Sequence, residues 1–452
     1  MIIHLKNNLT LTDIPRHLKT ELMTRLSFQN PKFLEAKRMN RWVGKIPRYL
    51  HYYTEADDGL VIPRGFIREL LELCKERNVH YFIEDHRRVL PAVDFTFKGN
   101  LRPFQERAVA DILEHDSGTV SSPTGSGKTV MALHVIAERR QPALVIVHTK
   151  ELLYQWVDRI HSFLRILKED VGIIGDGQKR VGDNITVALV QTLYKCADEV
   201  SPHIGFLIID EAHRAPAIQF SSAVSSFDAK YTLALSATPF RRDKLTRLIY
   251  WFCGDLVHRV DPQTLTENGD ILKVDAVIRE TNFETFLNPS SEYSKVLSEL
   301  TRDNERNHLI TSDVVKETRN GGGICLVLSD RKQHCEDLQL LLRSRGLRPA
   351  LLTGNVSDKD RQAIVEQLNQ GKTKVLIATG QLIGEGFDCK GLSTLFLATP
   401  IRFEGRVIQY LGRVLRPGPG KTKAKVYDYA DSKVGPLRVS AEARQRVYKG
   451  GF

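Results

Sequence analysis

One short run of small residues, residues 121–129, constrains the fold of this chain more than any other feature. Its sequence, SSPTGSGKT, ends where the apolar spacing of a helix begins. Gly125 and Gly127 permit a tight turn in which backbone N–H groups surround an anion, and the dipole of the following helix favours negative charge. Lys128 can then reach the β- and γ-phosphates of a nucleotide, and the Thr129 hydroxyl can hold Mg²⁺. The candidate nucleotide-binding residues of this run are Thr124, Gly125, Ser126, Gly127, Lys128 and Thr129.

The neighbouring sequence supplies the structural context that such a loop requires. Residues 143–147 form a continuous apolar run typical of a buried strand, and a weaker run at residues 118–120 leads into the loop. Residues 128–136 have the spacing of a helix that packs on a sheet. Ser122 stands where the general phosphate-loop pattern has a glycine. Because strand, loop, helix and strand follow in the right order, we predict a phosphate-binding loop in spite of this departure.

Length and composition indicate a globular protein with more than one domain. A chain of 452 residues is too long for one ordinary core, and its 42% hydrophobic and 26% charged residues are typical of globular proteins. No apolar run approaches the roughly 20 residues that span a bilayer, and the first residues lack the layout of a signal peptide. We therefore expect a cytoplasmic protein with no membrane partner. The six cysteines have no paired spacing, so we expect neither structural zinc nor a disulfide framework.

Positive charge is concentrated at the beginning of the chain. The net charge of +11 favours a polyanionic partner, although charge does not separate nucleic acid from a membrane surface. Basic residues crowd the first 50 positions, and aromatic residues such as Trp42, Tyr49 and Tyr52 lie among or beside them. Such mixing suits a surface that binds phosphates and stacks on bases. It suits equally a small α+β domain whose aromatic residues form its core.

Short apolar runs alternate with helical patterns after residue 100, as in parallel α/β sheets. One series lies at residues 143–147, 185–190, 206–209 and 231–235, and a second at 324–328, 374–378, 394–398 and 425–429. We therefore predict an α/β fold with two tandem parallel-sheet domains and a small α+β accessory domain before them. The predicted bounds are 1–100 for the basic accessory domain, 101–256 for the first sheet domain and 257–452 for the second.

Two carboxylates, Asp210 and Glu211, follow one of the predicted strands. In open α/β sheets, ligands lie at the carboxyl ends of the strands. Asp210 is therefore a candidate Mg²⁺ ligand together with Thr129. Glu211 is placed to orient and deprotonate a water molecule that attacks a γ-phosphate. With Lys128, these residues predict an ATP-hydrolysing site.

These motifs resemble those of the superfamily 2 helicases, and the resemblance covers roughly residues 101 to 430. The matching blocks read LRPFQ at 101–105, PTGSGKT at 123–129, DEAH at 210–213, SATP at 236–239, ATG at 378–380, GEGFD at 384–388 and QYLGRVLR at 409–416. A serine at the position of Ser122 is ordinary in this family. The resemblance implies two RecA-like domains, a motor that uses ATP and Mg²⁺, and a nucleic-acid partner.

The resemblance also implies roles for further residues around the nucleotide. Arg102 and Gln105 would contact the adenine, and Asp388 would face ATP from the second domain. The block that resembles the family's arginine finger contributes Gln409, Arg413 and Arg416. Their spacings of four and three place these side chains on one face of a helix. An arginine finger of this kind supplies about 10³ to 10⁵ in rate.

Other blocks resemble the family's contacts to nucleic acid. The residues concerned are Thr149, Lys150, Gln155, Gln191 and Thr192 in the first domain and Arg331, Thr353, Gly354 and Thr379 in the second. Within the superfamily, the acidic box and the SATP segment are more similar to DNA-remodelling helicases of the XPB, RecG and phage branch-migration kind than to DEAD-box RNA helicases. The resemblance thus implies a DNA substrate with forks or junctions. We also expect the protein to be a monomer.

Three other functions remain open at this point. The chain could be an RNA helicase, or the motor of a restriction complex, although we find no nuclease-type set of carboxylates and lysine outside the motor blocks. It could also be a binding or annealing module that has lost hydrolysis. The intact Lys128, Asp210 and Glu211 argue against this last function.

Overall fold

The computed structural model describes most of the chain, in two compact units. The described residues are 1–450 apart from 39–41, 58, 213–216, 238–245, 322, 355, 385–388, 390, 402–406, 408–409, 413, 415–420 and 422–423, and the side chains of 217–219, 358–359, 381, 384 and 449–450 also lie outside the description. One unit contains Met1–Ser122 and Gly127–Val260, and the other contains Asp261–Phe452 with the short segment Pro123–Ser126.

The first part of the chain forms a small α+β module. Its strands are β1 (Ile2–Leu5), β2 (Asn8–Thr12), β3 (Ser27–Gln29), β4 (Tyr49–His51), β5 (Thr54–Ala56), β6 (Gly59–Pro63) and β7 (Phe82–Asp85), and its helices are α1 (Arg16–Arg25), α2 (Pro31–Arg38) and α3 (Ile67–Glu76). Five of the described strands form one sheet in the order β5-β6-β2-β1-β7, while β3 pairs with β4. Alternate residues of β1 and β2 are buried, as expected of a sheet with one face on the core.

The same unit contains a larger, mainly parallel sheet. Its strands are β8 (Ser117–Ser121), β9 (Ala143–Val147), β10 (Gly172–Gly175), β11 (Gln178–Arg180), β12 (Ile185–Leu189), β13 (Phe206–Ile209), β14 (Tyr231–Ser236) and β15 (Leu256–Arg259). Its helices are α4 (Pro103–Leu113), α5 (Lys128–Arg139), α6 (Lys150–Leu164), α7 (Val190–Leu193), α8 (Ala197–Val200), α9 (Ala217–Ser225) and α10 (Arg247–Cys253). The described strands follow the order β11-β10-β12-β9-β13-β14-β8-β15. Residues of β9 and β13 are buried on both faces because helices cover both sides.

The second unit contains another parallel sheet. Its strands are β16 (Val274–Glu280), β17 (Ile324–Ser329), β18 (Ala350–Leu352), β19 (Val375–Thr379), β20 (Leu392–Leu397) and β21 (Ala424–Ala430). Its helices are α11 (Pro262–Glu267), α12 (Tyr293–Leu300), α13 (Asn304–Asn320), α14 (Lys332–Ser344), α15 (Asp358–Asn369), α16 (Gly380–Gly384) and α17 (Gly435–Gly450). The described strands have the order β16-β21-β20-β17-β19-β18. None of the described helices combines the length and the apolar character that a bilayer crossing requires.

The predicted α/β class is confirmed, and the predicted strands are present, two of them with the predicted bounds and the others with ends shifted by one or two residues. The run at 185–190 ends one residue early because Val190 begins α7. The run at 394–398 forms a strand at Leu392–Leu397. Such shifts arise because strand ends depend on hydrogen bonds to neighbouring strands, which an apolar run does not specify.

The accessory module and the first parallel sheet share one apolar core. Phe66, in a single 3₁₀ turn, and Phe28 both pack against Trp251 of α10, with ring centroids 6.2 and 5.9 Å away. The buried Arg64 crosses the same boundary and donates to the Ala229 carbonyl at 2.7 Å. The module is therefore joined to the sheet by core packing as well as by the chain. The division at residue 100 stays a prediction.

Candidate active site

The predicted phosphate-binding loop lies between β8 and α5, the strand–loop–helix context that the sequence indicates. Gly125 and Gly127 have φ angles of 91° and 86°, in the left-handed region that favours glycine. The Ser126 hydroxyl donates to the Pro123 carbonyl at 2.7 Å and closes the turn. The loop thus ends at the first turn of a twelve-residue helix, where the backbone N–H groups and the helix dipole favour an anion.

Lys128 is nearly buried within this site. Its Nζ donates to the Ser122 carbonyl at 3.0 Å and lies 4.0 Å from Oε1 of Glu211. The Ser122 N–H donates in turn to the carbonyl of Ser236 at 2.9 Å, which ties the loop to the end of β14. The ammonium group is therefore held between the loop and the acidic residues.

The two predicted carboxylates follow β13 at the carboxyl edge of the sheet. Asp210 Oδ2 accepts a hydrogen bond of 2.8 Å from Trp156 Nε1, and Oδ1 accepts one of 2.9 Å from the Glu211 N–H. Burial raises the pKa of Asp210 above its ordinary value, and the neighbouring charge of Glu211 raises it further. Glu211 has a φ of 47°, a strained conformation for a residue with a side chain. Such strain is typical of functional sites.

The contact between Trp156 and Asp210 was not predicted from the sequence. Trp156 lies on α6, which follows β9, and β9 is the neighbour of β13 in the sheet. The indole is only 1% exposed, so its N–H needs a buried acceptor. The sequence contains no signal that pairs two residues 54 positions apart, whereas the strand order brings them together.

Gln105 lies against the phosphate-binding loop. Its Oε1 accepts a hydrogen bond of 2.9 Å from the Arg102 N–H at the start of α4. A Cβ atom added to Gly127 would stand 2.4 Å from Gln105 Nε2, so any other residue there would displace the amide from the loop. The structure therefore brings Gln105 to the loop, and Arg102 lies at the cap of the same helix.

The residues present fit an ATP site that also holds Mg²⁺. A loop with left-handed glycines, a buried lysine and two adjacent carboxylates form one cluster, and Thr129 is the second residue of α5. Each Asp210 oxygen uses one lone pair in the contacts above and keeps another for a cation. The buried Asp210 carboxylate, whose pKa is raised by burial and by the neighbouring Glu211, is in the electrostatic environment that a divalent cation stabilises.

The candidate nucleic-acid residues of the first unit lie at one edge of its sheet. Thr149 caps α6 after β9, and Gln191 follows the neighbouring strand β12. Gln191 Nε2 donates to the His148 carbonyl at 3.0 Å, so the ends of the two strands are in contact. Thr192 is next to Gln191, Gln155 lies on α6, and the exposed Lys150 forms an ion pair with Asp176.

The candidates of the second unit also share one edge. Arg331 follows β17, Thr353 and Gly354 follow β18, and Thr379 ends β19. These three parallel strands are neighbours, so their carboxyl ends lie side by side. Arg331 donates to the carbonyl and hydroxyl of Ser294 at 3.2 and 3.0 Å. A second cluster of candidate phosphate contacts is thus present.

Several predicted site residues lie outside the described part of the chain. They are Asp388, Gln409, Arg413 and Arg416, and His213 of the DEAH block and Thr238 of the SATP block also lie outside it. The contact of Asp388 with ATP and the arginine-finger role of the 409–416 block remain predictions.

Comparison with protein families identifies two matching regions. The family "Type III restriction enzyme, res subunit" matches residues 98–241, and the family "Helicase conserved C-terminal domain" matches residues 291–418. The first match contains the phosphate-binding loop and the acidic pair, and the second contains the edge residues of β17, β18 and β19.

Individual proteins are similar over most of the chain. A protein of Acanthamoeba polyphaga mimivirus, named as a candidate ATP-dependent RNA helicase, is 27% identical over 377 residues, which are 79% of this chain and 69% of that protein. The ATP-dependent DNA helicase uvsW of Enterobacteria phage T4 is 24% identical over 433 residues, which are 89% of this chain and 84% of that protein. Among solved structures, S. cerevisiae Dbp5 bound to RNA and ADP BeF3 matches 77% of this chain and 88% of its own, with a TM-score of 0.54 and 17% identity. The tandem RecA-like fold is therefore confirmed.

Proposed function

This chain belongs to the superfamily 2 helicases and is an ATP-hydrolysing enzyme that binds nucleic acid, and on this premise we propose that it translocates on branched DNA and remodels it. Forks and four-way junctions are the substrates we assign to it. The ATP site drives the movement, the strand-end residues of each sheet bind DNA backbone, and the accessory module binds a duplex arm.

In the proposed reaction, the residues of the first unit act on ATP as follows. Lys128 exchanges the Ser122 carbonyl for the phosphates, and Glu211 orients the attacking water and accepts its proton. Mg²⁺ held by Asp210 and Thr129 would neutralise phosphate charge. Trp156 keeps the Asp210 carboxylate in one orientation through its 2.8 Å hydrogen bond.

The observation that carries the DNA proposal is an exposed basic and aromatic surface on the accessory module. The name basic–aromatic face is used here for the exposed basic and aromatic residues within positions 32–49, which are Lys32, Lys37, Arg38, Trp42, Lys45, Arg48 and Tyr49. Trp42 is 75% exposed, and the Arg48 guanidinium lies 5.7 Å from the centroid of the Tyr49 ring. Exposed aromatic rings beside cations suit stacking on bases and binding of phosphates.

The charges of this face are available to a ligand. Among the described residues, its five basic side chains form no ion pair, whereas Arg25 of the same module is paired with Glu21 and Glu69. The module shares its apolar core with the sheet that carries the ATP site. A duplex bound by the face would therefore be held by the same unit that hydrolyses ATP.

RNA is the competing substrate. The mimivirus relative is named for RNA and the phage T4 relative for DNA, at similar identity. We favour DNA because the motifs resemble DNA-remodelling helicases, and because the phage T4 relative matches 89% of this chain whereas the mimivirus relative matches 79%.

ATPase stimulation by different nucleic acids tests the proposal. Single-stranded DNA, duplex, fork, four-way junction and RNA are compared at one salt concentration, because phosphate binding depends strongly on salt. We expect the fork or the junction to give the highest turnover at saturation. If RNA gave the highest ATP turnover, the chain would be an RNA helicase and the DNA proposal would be wrong. If linear and branched DNA gave equal turnover, the proposed preference for branches would be wrong.

Neutralising the basic–aromatic face tests its role in binding. We expect Lys37→Gln, Lys45→Gln and Arg48→Gln, combined in one protein, to weaken fork binding and to reduce the slope of log K against log salt by about 0.9 for each phosphate that is no longer neutralised. The matched control combines Lys316→Gln, Arg343→Gln and Lys372→Gln, which remove three exposed cations of the second unit. If fork affinity and the salt slope fell equally in both proteins, the effect would come from net charge alone, and the basic–aromatic face would not be a binding site.

A further inference from the structure

Three potential metal ligands meet on the solvent-facing side of the small sheet. β1 and β7 are parallel neighbours, and their register places His4 directly beside Glu84. His86 is two residues beyond Glu84, and alternate residues of a strand point to the same face. Ile3 and Leu5 point to the core, so His4 points away from it. The topology therefore brings two imidazoles and one carboxylate together on an accessible surface.

The distances within this cluster suit metal coordination. His4 Nδ1 lies 2.8 Å from Glu84 Oε2, and His86 Nε2 lies 3.4 Å from the same oxygen. One ligand atom from each residue can be chosen so that all three lie within 4.8 Å of one another. Ligands at about 2.1 Å from a tetrahedral metal stand about 3.4 Å apart. Small side-chain adjustments would therefore complete a three-ligand site.

We propose that His4, Glu84 and His86 bind a divalent transition-metal ion of the Zn²⁺ class. Two imidazole nitrogens favour such an ion over Mg²⁺ or Ca²⁺, which take oxygen ligands. Three protein ligands leave one position for water. The cysteine pattern had predicted no structural zinc, and this site contains no cysteine. The proposal is independent of the nucleic acid on which the motor acts.

The site lies beside the anchor of the accessory module. β7 is an edge strand of the described sheet, and His86 extends it by donating its N–H to the Leu5 carbonyl at 2.8 Å. The next two residues fix the module to the parallel sheet, since Arg87 pairs with Asp116 at 2.8 Å and Arg88 with Asp228 at 2.8 Å. Both arginines come shortly after the end of β7. A metal ion that links β1 to β7 would therefore stabilise the position of the strand that leads into them.

Metal titration of the full-length chain, without a polyhistidine tag, tests the proposal. We expect one equivalent of Zn²⁺ to bind by calorimetry, one equivalent of Co²⁺ to give visible d–d absorption, and Zn²⁺ to raise the midpoint of thermal unfolding. His86→Ala and Glu84→Gln should each weaken Zn²⁺ binding at least about tenfold, since loss of even an outer-shell partner costs 10- to 100-fold. His17→Ala, which removes an exposed histidine of α1, should leave binding unchanged.

Two results would overturn the assignment. One is the absence of saturable Zn²⁺ and Co²⁺ binding by the unaltered chain, which would leave the cluster as a hydrogen-bonded group only. The other is unchanged affinity in His86→Ala and Glu84→Gln, which would place the metal elsewhere. Circular dichroism and unfolding of both variants without metal establish that the module is folded, so that weakened binding is assigned to the missing ligand.

Discussion

Replacing Glu211 with glutamine is expected to lower ATP turnover by about 10²- to 10⁴-fold, the range that a positioned general base contributes. Glutamine keeps the size of the side chain and accepts the same left-handed backbone, but it cannot take a proton from water at neutral pH. The Asp210 contacts to Trp156 and to the backbone of residue 211 remain possible. Single-turnover and steady-state phosphate release measure the change.

Binding measurements separate a catalytic role of Glu211 from a structural one. ATP and fork DNA should bind Glu211→Gln with affinities close to those of the unaltered protein. Lys128→Ala should instead reduce both nucleotide binding and turnover, because its ammonium contacts the phosphates in the proposed reaction. Glu169→Gln, at an exposed position of the same unit, serves as the control. Undiminished hydrolysis by Glu211→Gln would exclude the proposed base.

Replacing Arg64 with methionine is expected to destabilise the first unit by about 3 kcal/mol. Arg64 Nη1 donates to the Ala229 carbonyl at 2.7 Å, and Nη2 donates to the Thr232 hydroxyl. Burial lowers the pKa of Arg64 to about 10, so the group remains charged at neutral pH. Each hydrogen bond from a charged donor contributes about 1.5 to 3 kcal/mol. Methionine retains most of the apolar contacts and removes both donors, which leaves two buried acceptors without their charged partner.

Tryptophan fluorescence during urea unfolding measures this destabilisation. All three tryptophans, Trp42, Trp156 and Trp251, belong to the first unit, so their emission reports on that unit. Arg16→Met, which changes an exposed arginine of α1, should alter stability by no more than about 0.5 kcal/mol. A similar small effect of Arg64→Met would mean that the accessory module is not held to the parallel sheet by this side chain.

The chemical core of the site was predictable because each part is a local pattern. The loop at residues 121–129 and the Asp210–Glu211 pair each come at the end of a short buried strand, and the carboxyl edge of a parallel sheet is where such residues meet. The nucleic-acid candidates were assigned by resemblance. Those of the first unit lie together because β9 and β12 are neighbours, and those of the second unit lie together because β17, β19 and β18 are neighbours. The predicted site residues of the 409–416 block, Gln409, Arg413 and Arg416, lie outside the described residues, so their role stays a prediction.

Local sequence was thus sufficient for the parallel α/β class, the phosphate-binding loop and the acidic pair, since apolar periodicity and glycine positions act over a few residues. It did not predict the hydrogen bond between Trp156 and Asp210 or the hydrogen bond from the buried Arg64 to Ala229. Nor did it predict the cluster of His4, Glu84 and His86. These pairs are separated by 54 to 165 residues along the chain and come together through strand order and core packing. Side-chain contacts at such separations depend on how whole elements pack, and no short pattern in the sequence encodes that packing.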